Sequence, residues 1–169
     1  QITSITFILD GAGNYLSGSH AWCEGRDVAD YAENYYTTDT TTRAADVMVH
    51  DATLPAGVKK STKPYESQLI GVVSTKPAIV LDDSIGFAHG WALPIALSGR
   101  VPVKVSTENG PIVAGDNLTS SSIPGVAMKT TRPGQTIGKA LASYDNPDPQ
   151  AIGQVMLFVN TTWQDPDIY

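Results

Sequence analysis

Apolar and polar residues alternate along much of this chain, which is the pattern of β-strands that bury one face. The clearest case is GRVPVKV (99–105), in which every second residue from Val101 onwards is valine. Asn109-Gly110 follows, and this dipeptide is typical of a hairpin turn, so Ile112-Val113 is predicted to begin the returning strand. Helix-forming residues are scarce. The pattern therefore predicts an all-β fold.

Two stretches of the chain resemble each other, which predicts two related β units packed into one compact domain. The first has a corner at Asp46, the turn VKKSTKP (58–64) and the strand IGVV (70–73). The second has a corner at Asp116, the turn AMKTTRP (127–133) and the strand IGKA (137–140). Matching features lie 67 to 70 residues apart. We expect the two units to bury each other's apolar faces.

Residues 27–36 (DVADYAENYY) depart from the strand pattern. Their apolar positions recur at the spacing of one helix face: Val28, Tyr31, Ala32 and Tyr35. Asp27 is a residue type that caps helices, so the sequence predicts a short helical turn here. Asp30 and Glu33 would then lie one turn apart on a neighbouring face. Such a pair suits general acid–base chemistry, and it is equally what a solvated acidic helix face contains.

Three regions follow from these patterns. Residues 1–26 are predicted to form an N-terminal β-hairpin or stalk-like extension. Residues 27–160 are predicted to form the all-β domain. The apolar run VMLFV (155–159) is typical of a strand buried on both faces. Residues 161–169 are polar and are predicted to form a C-terminal tail. Because the sequence begins with Gln1 rather than Met, we expect it to be part of a longer chain.

Composition narrows the classes of partner. The net charge of −6 argues against a sequence-independent grip on nucleic-acid phosphates. No apolar run approaches the ~20 residues of a transmembrane helix. Cys23 is the only cysteine, which excludes a disulfide within the chain. The histidines are far apart and no nucleotide-binding motif occurs, so the sequence predicts no cofactor and no metal site.

Several motifs together resemble a known family. They are DYAE (30–33), the aromatic pair Tyr35-Tyr36, IGVVS (70–74) and GRVPV (99–103). The chain is similar to the intramolecular-chaperone auto-processing domain, a glutamic-peptidase-like domain. That domain occurs near the C-termini of phage neck-appendage and tail-spike proteins, and in similar bacterial surface-fibre proteins. The likeness covers about residues 27–160, and DYAE is its most specific part.

The resemblance implies an all-β homotrimer, on a virion or at a cell surface, that assists assembly of the fibre segment preceding it in the same chain. In some members the domain cuts its own chain at this motif. By position, the scissile bond is Ala29–Asp30, Glu33 is the catalytic carboxylate and Asp30 becomes the new N-terminal residue. Members with cleavage carry a small hydroxyl residue before the aspartate, where this chain has Ala29.

Three functions stand as alternatives. The first is a structural assembly domain of a homotrimeric phage or bacterial surface fibre or appendage. The second is a single-turnover autoproteolytic domain that cleaves Ala29–Asp30 without metal or cofactor. The third is a tip that binds a receptor such as a cell-surface glycan, with aromatic residues including Trp91 and Trp163 as stacking surfaces. None of the three involves nucleic acid or membrane insertion.

Overall fold

The structure, a computed structural model, describes residues 29–81 and 90–168. These residues form ten hydrogen-bonded strands and one 3₁₀ turn, Pro166–Ile168. The strands are β1 (Ala29–Thr37), β2 (Val47–His50), β3 (Val58–Lys60), β4 (Leu69–Val73), β5 (Ile79–Leu81), β6 (Trp91–Val105), β7 (Asn117–Ser120), β8 (Ala127–Lys129), β9 (Gly134–Ala140) and β10 (Gly153–Gln164). The prediction of an all-β fold is confirmed. The predicted N-terminal hairpin within residues 1–26 and Cys23 lie outside the described residues.

The helical turn predicted at residues 27–36 is wrong, because residues 29–37 form strand β1. This strand pairs antiparallel with β6, where Ala29 lies opposite Arg100, and parallel with β5. Over so short a segment the two periods overlap: Ala32 and Tyr36 share a face in a helix and also in a strand. Both are buried. Only the pairing with β6 distinguishes a strand from a helix here. Because β6 lies far along the chain, the local periodicity of residues 27–36 could not reveal that pairing.

The internal repeat is confirmed by strand pairing. In the first unit β2 pairs antiparallel with β3 and β4, and in the second β7 pairs antiparallel with β8 and β9. The registers match as well. Met48 lies opposite Gly71, and Leu118, the equivalent of Met48, lies opposite Gly138.

The two corners before these units have the same hydrogen bonds. Asp46 Oδ2 accepts a bond of 2.7 Å from the Arg43 amide, and Asp116 Oδ2 accepts one of 2.8 Å from the Val113 amide. The residue before each aspartate has a positive φ, +69° at Ala45 and +99° at Gly115. In the second unit this residue is glycine, which adopts a positive φ with the least strain. In the first unit alanine adopts the same conformation.

The main core joins the two units, as expected. It contains Val47, Val49, Leu69 and Val72 from the first unit, Leu118, Ala127, Ile137 and Ala140 from the second, and inward residues of β6 and β10. The two similar turns also touch. The Tyr65 hydroxyl lies 3.0 Å from that of Thr131, and the Arg132 guanidinium lies 4.1 Å from the centre of the Tyr65 ring. The units therefore form one packed body.

Three further features of the strands differ from expectation. Ile112 does not return along β6, because it forms an isolated bridge with Tyr144 while Asn109 donates its side-chain amide to Tyr65 and Lys129. The apolar run in β10 is not buried on both faces: Val155, Leu157 and Val159 are buried, whereas Phe158 is 42% exposed. This strand also continues through the predicted boundary at residue 160 and pairs with β9 as far as Gln164.

Candidate functional site

The DYAE motif lies near the start of β1, between β5 and β6. Asp30 lies opposite Gly99 of β6, and its carbonyl oxygen accepts a bond of 3.1 Å from the Ala78 amide just before β5. Tyr31, Ala32 and Glu33 pair with Ile79, Val80 and Leu81. The motif is therefore fixed by backbone hydrogen bonds on both sides, as part of a sheet.

Asp30 has a buried carboxyl group, with only 1% of the residue exposed. Neither carboxyl oxygen has a hydrogen-bond partner of good geometry among the described residues, and the same holds for the Ser74 hydroxyl. Burial raises the pKa of Asp30, and the nearby Ser74 hydroxyl offsets part of that rise. The protonated form of this side chain is thus favoured more than in a solvated aspartate.

Glu33 has a different environment, because it is only partly buried. Its Oε2 accepts a bond of 3.1 Å from the Tyr35 hydroxyl. Burial raises the pKa of Tyr35, and the bond to Glu33 and its negative charge raise it further. The tyrosine therefore stays a hydrogen-bond donor and holds the carboxylate against the strand.

The structure places Asp30 and Glu33 on opposite faces of β1. Side chains alternate along a strand, and Asp30 shares its face with buried Ala32 while Glu33 shares the other with Tyr35. Four steps along a strand also put Glu33 roughly 13 Å beyond Ala29. In this conformation the Glu33 carboxylate does not lie at the Ala29–Asp30 bond of its own chain.

Glu33 lies within a sheet surface that is largely apolar and partly open to solvent. We call it the β1 face, and it comprises Tyr31, Tyr35, Ile79, Leu81, Trp91 and Leu93. Tyr31 and Trp91 are 57% and 59% exposed, and all of β5 is exposed at the sheet edge. On the same side of the sheet lies a small second core of Met48, Val58, Val73 and Ile95, against which Tyr35 and Leu93 pack. The face is therefore packed on its β6 side and exposed at Tyr31, Trp91 and β5.

The two tryptophans considered as stacking surfaces lie in separate depressions. Trp91 borders a groove of about 330 Å³ with Thr37, Asp39 and Arg43. Trp163 lies in a cleft of about 760 Å³ with Asn117, Lys139, Gln164 and Asp165. Sequence reasoning missed these polar neighbours of Trp163, because they come from three different strands and a loop and share no motif. Within residues 29–81 and 90–168, no group of three or more His, Cys, Asp or Glu is placed to hold a metal ion.

Comparison by sequence finds no relative: no known protein family and no curated protein matches this chain. Comparison by structure finds proteins of similar fold. The C-terminal fragment of bacteriophage phi29 gene product 12 matches with a TM-score of 0.53 and 12% identity, covering 78% of this chain and 100% of the fragment. This chain has the fold of that fragment. The family resemblance drawn from the DYAE motif is thereby confirmed at the level of the fold.

A second similar structure is that of a longer protein. Pre-mature phi29 gene product 12 matches with a TM-score of 0.58 and 12% identity, covering 90% of this chain. The match covers only 24% of that gene product. The present chain thus spans about a quarter of the length of that gene product.

Proposed function

We propose that this chain is the assembly domain of a homotrimeric phage appendage or surface fibre, carried on a virion or at a cell surface. The observation that carries the proposal is the β1 face, an exposed apolar surface on a domain with the fold of the gene product 12 fragment. Large contiguous apolar surfaces on a folded domain mark interaction sites. The partners are further copies of the chain and the fibre segment that precedes it.

The layout of the face suits a ring of three copies. In a closed cyclic trimer each copy presents one patch to the next copy and a different patch to the previous one. The exposed edge strand β5 and the adjoining surface of β1 and β6 provide two such patches side by side. Pairing them would cover an apolar edge that is otherwise open to unwanted strand addition.

A matched pair of isoleucines tests this proposal. Ile79 is 47% exposed on the β1 face, and Ile152 is 55% exposed just before β10, away from that face. A charge buried without a partner at an interface is strongly unfavourable, so Ile79→Asp should dissociate the trimer while Ile152→Asp leaves it intact. Sedimentation equilibrium at micromolar concentration measures both. Equal effects of the two substitutions would refute this face as the trimer interface.

A second function, single-turnover self-cleavage at Ala29–Asp30, is favoured by one observation. The DYAE motif places a carboxylate, Glu33, on the partly exposed face of the strand that begins at the scissile bond. In such a step a water oxygen adds to the Ala29 carbonyl carbon and the C–N bond breaks. Glu33 accepts the proton from water and passes it to the Asp30 nitrogen, which leaves as an amine.

Cleavage would be linked to assembly. Because strand geometry separates Glu33 from the bond in its own chain, the reaction needs the carboxylate of a neighbouring copy or a rearranged start of β1. Either arises on trimer formation, which supplies the orientation on which such a step depends. Ala29 in place of a small hydroxyl residue weighs toward the purely structural function.

The mass of the denatured chain, expressed with its natural upstream segment, separates the two functions. Glu33→Gln removes the proposed catalytic carboxylate, and Glu108→Gln is the control, because Glu108 is bonded to Ser122 far from the motif. Self-cleavage predicts two fragments that meet at Ala29–Asp30 in the parent and in Glu108→Gln, and one intact mass in Glu33→Gln. One intact mass in all three identifies an uncleaved assembly domain.

A further inference from the structure

The cleft beside Trp163 is lined by the last residues of β10, by Asn117 at the start of β7, by Lys139 of β9 and by Ile168 of the 3₁₀ turn. Its volume is about 760 Å³, within the range of roughly 300–1,000 Å³ that small-molecule sites occupy. Trp163 is 68% exposed and Ile168 is 71% exposed, so both present apolar surface to the cleft. The cleft lies on strands other than those of the β1 face.

The polar groups around this tryptophan are not used by the fold. The side chains of Asn117, Lys139 and Gln164 hydrogen-bond to no residue in the described part of the chain. Asp165 accepts one bond, at Oδ1 from the Asp167 amide, and has further acceptor capacity. Two amides, an ammonium and a carboxylate therefore lie around an exposed indole. Both hydrogen-bond donors and acceptors among them are available to a ligand.

The groove beside Trp91 shows the contrast. There Arg43 already donates to the carbonyl oxygens of Thr40 and Thr42, and Asp39 accepts from Thr41 and pairs with Lys60. Its charged groups are engaged within the protein, which leaves an apolar groove suited to packing. Two similarly exposed tryptophans thus lie in chemically different settings.

We infer that the Trp163 cleft binds a neutral glycan. A pyranose ring has an apolar face of C–H groups that stacks on an indole, and a rim of hydroxyl groups that each donate and accept hydrogen bonds. Asn117, Gln164 and Lys139 supply donors for these hydroxyls, and the amide oxygens and Asp165 supply acceptors. The charges of Lys139 and Asp165 balance, which disfavours a phosphate or a polyanionic sugar.

The test is binding of the chain to an array of defined neutral hexose and N-acetylhexosamine oligomers, followed by titration of the strongest binder with isothermal titration calorimetry as the readout, which does not depend on Trp163 itself. Loss of one aromatic stacking surface is worth about 1 kcal/mol, so Trp163→Ala should weaken binding at least about fivefold. Asn117→Ala should weaken it as well. Ile152→Ala is the control and should retain the affinity of the parent, because Ile152 is 55% exposed and belongs neither to this cleft nor to the β1 face.

Two results would overturn the inference: no signal for any oligomer on the array, or equal affinity of Trp163→Ala and the parent. Sedimentation of Trp163→Ala adds a third criterion. If the substitution dissociates the oligomer, the cleft is a contact between copies rather than a glycan site. Failure of the glycan test leaves the assembly proposal standing, because the β1 face and this cleft share no residue.

Discussion

At the scale of single residues, Asp30 is the most unusual group that the structure describes. Its carboxyl is buried without a well-aligned partner, and burial raises its pKa. An aspartate at the start of the DYAE motif could be picked out from the sequence, but its burial could not. That burial depends on pairing with Gly99 and on the approach of Ser74, which lie 69 and 44 residues further along the chain.

This burial predicts a particular dependence of stability on pH. Because the folded chain holds the Asp30 proton more tightly than the unfolded chain, the contribution of this group to stability is full below the pKa of an unfolded aspartate. It is lost as the pH rises through the raised pKa of the folded state. Asp30→Asn lacks this loss, so the variant should gain stability relative to the parent as the pH rises across that window.

Denaturant unfolding of both chains between pH 3 and pH 7 measures the effect. Ser74→Ala is the companion variant: it removes the hydroxyl that lowers the folded-state pKa of Asp30, so the upper end of the window should move to higher pH while its lower end stays in place. Parallel stability curves for Asp30→Asn and the parent would contradict the assigned environment of Asp30.

At the scale of elements, the repeat explains two glycines. Gly71 in β4 and Gly138 in β9 hold equivalent positions, and each lies where its strand approaches the backbone of the next long strand. A Cβ atom on Gly71 would lie 2.3 Å from the Ala96 carbonyl oxygen, and one on Gly138 would lie 2.1 Å from that of Phe158. Gly138 also has a φ of +151°. The same close approach is thus built twice.

Alanine at either glycine should be costly. Overpacking against backbone that cannot yield costs about 1–3 kcal/mol, and we expect Gly71→Ala and Gly138→Ala each to reach at least about 2 kcal/mol in the free energy of unfolding. Gly110→Ala is the comparison, because nothing lies within 4 Å of its Cβ position and only its φ of +92° opposes the change. We expect about 1 kcal/mol there. Equal losses at all three positions would show that the close approach is absent.

The elements show which parts of a fold local sequence determines. The repeat was predictable because both units contain the same corner, turn and strand motifs in the same order. In the structure the strands of the two units pair in the same way. Strand β1 was not predictable, because the apolar positions of residues 27–36 have helical spacing and only the pairing with β6 shows that the segment is extended. The course of Ile112 likewise depends on Tyr144, a contact that the Asn-Gly turn does not specify.

At the scale of the whole molecule, function depends on surfaces that several strands create together. Tyr31, Ile79 and Trp91 come from three separate strands and meet on one face, while Trp163 and Asn117 meet in a cleft elsewhere. The sequence supplies the aromatic residues but not their grouping. Within the described residues no helix is long and apolar enough to cross a membrane. The family resemblance correctly predicted the fold. The proposals about assembly and binding rest on these surfaces, which only the structure reveals.

The measurement that tests the central claim most directly is the native mass of the purified chain across a micromolar concentration series. If the β1 face forms the trimer interface, the chain should be a species of three copies that persists on dilution, because each copy buries this apolar face against its neighbour. A monomer at every concentration would contradict it. The exposed apolar face would then need another partner, and the assembly function proposed for this domain would be wrong.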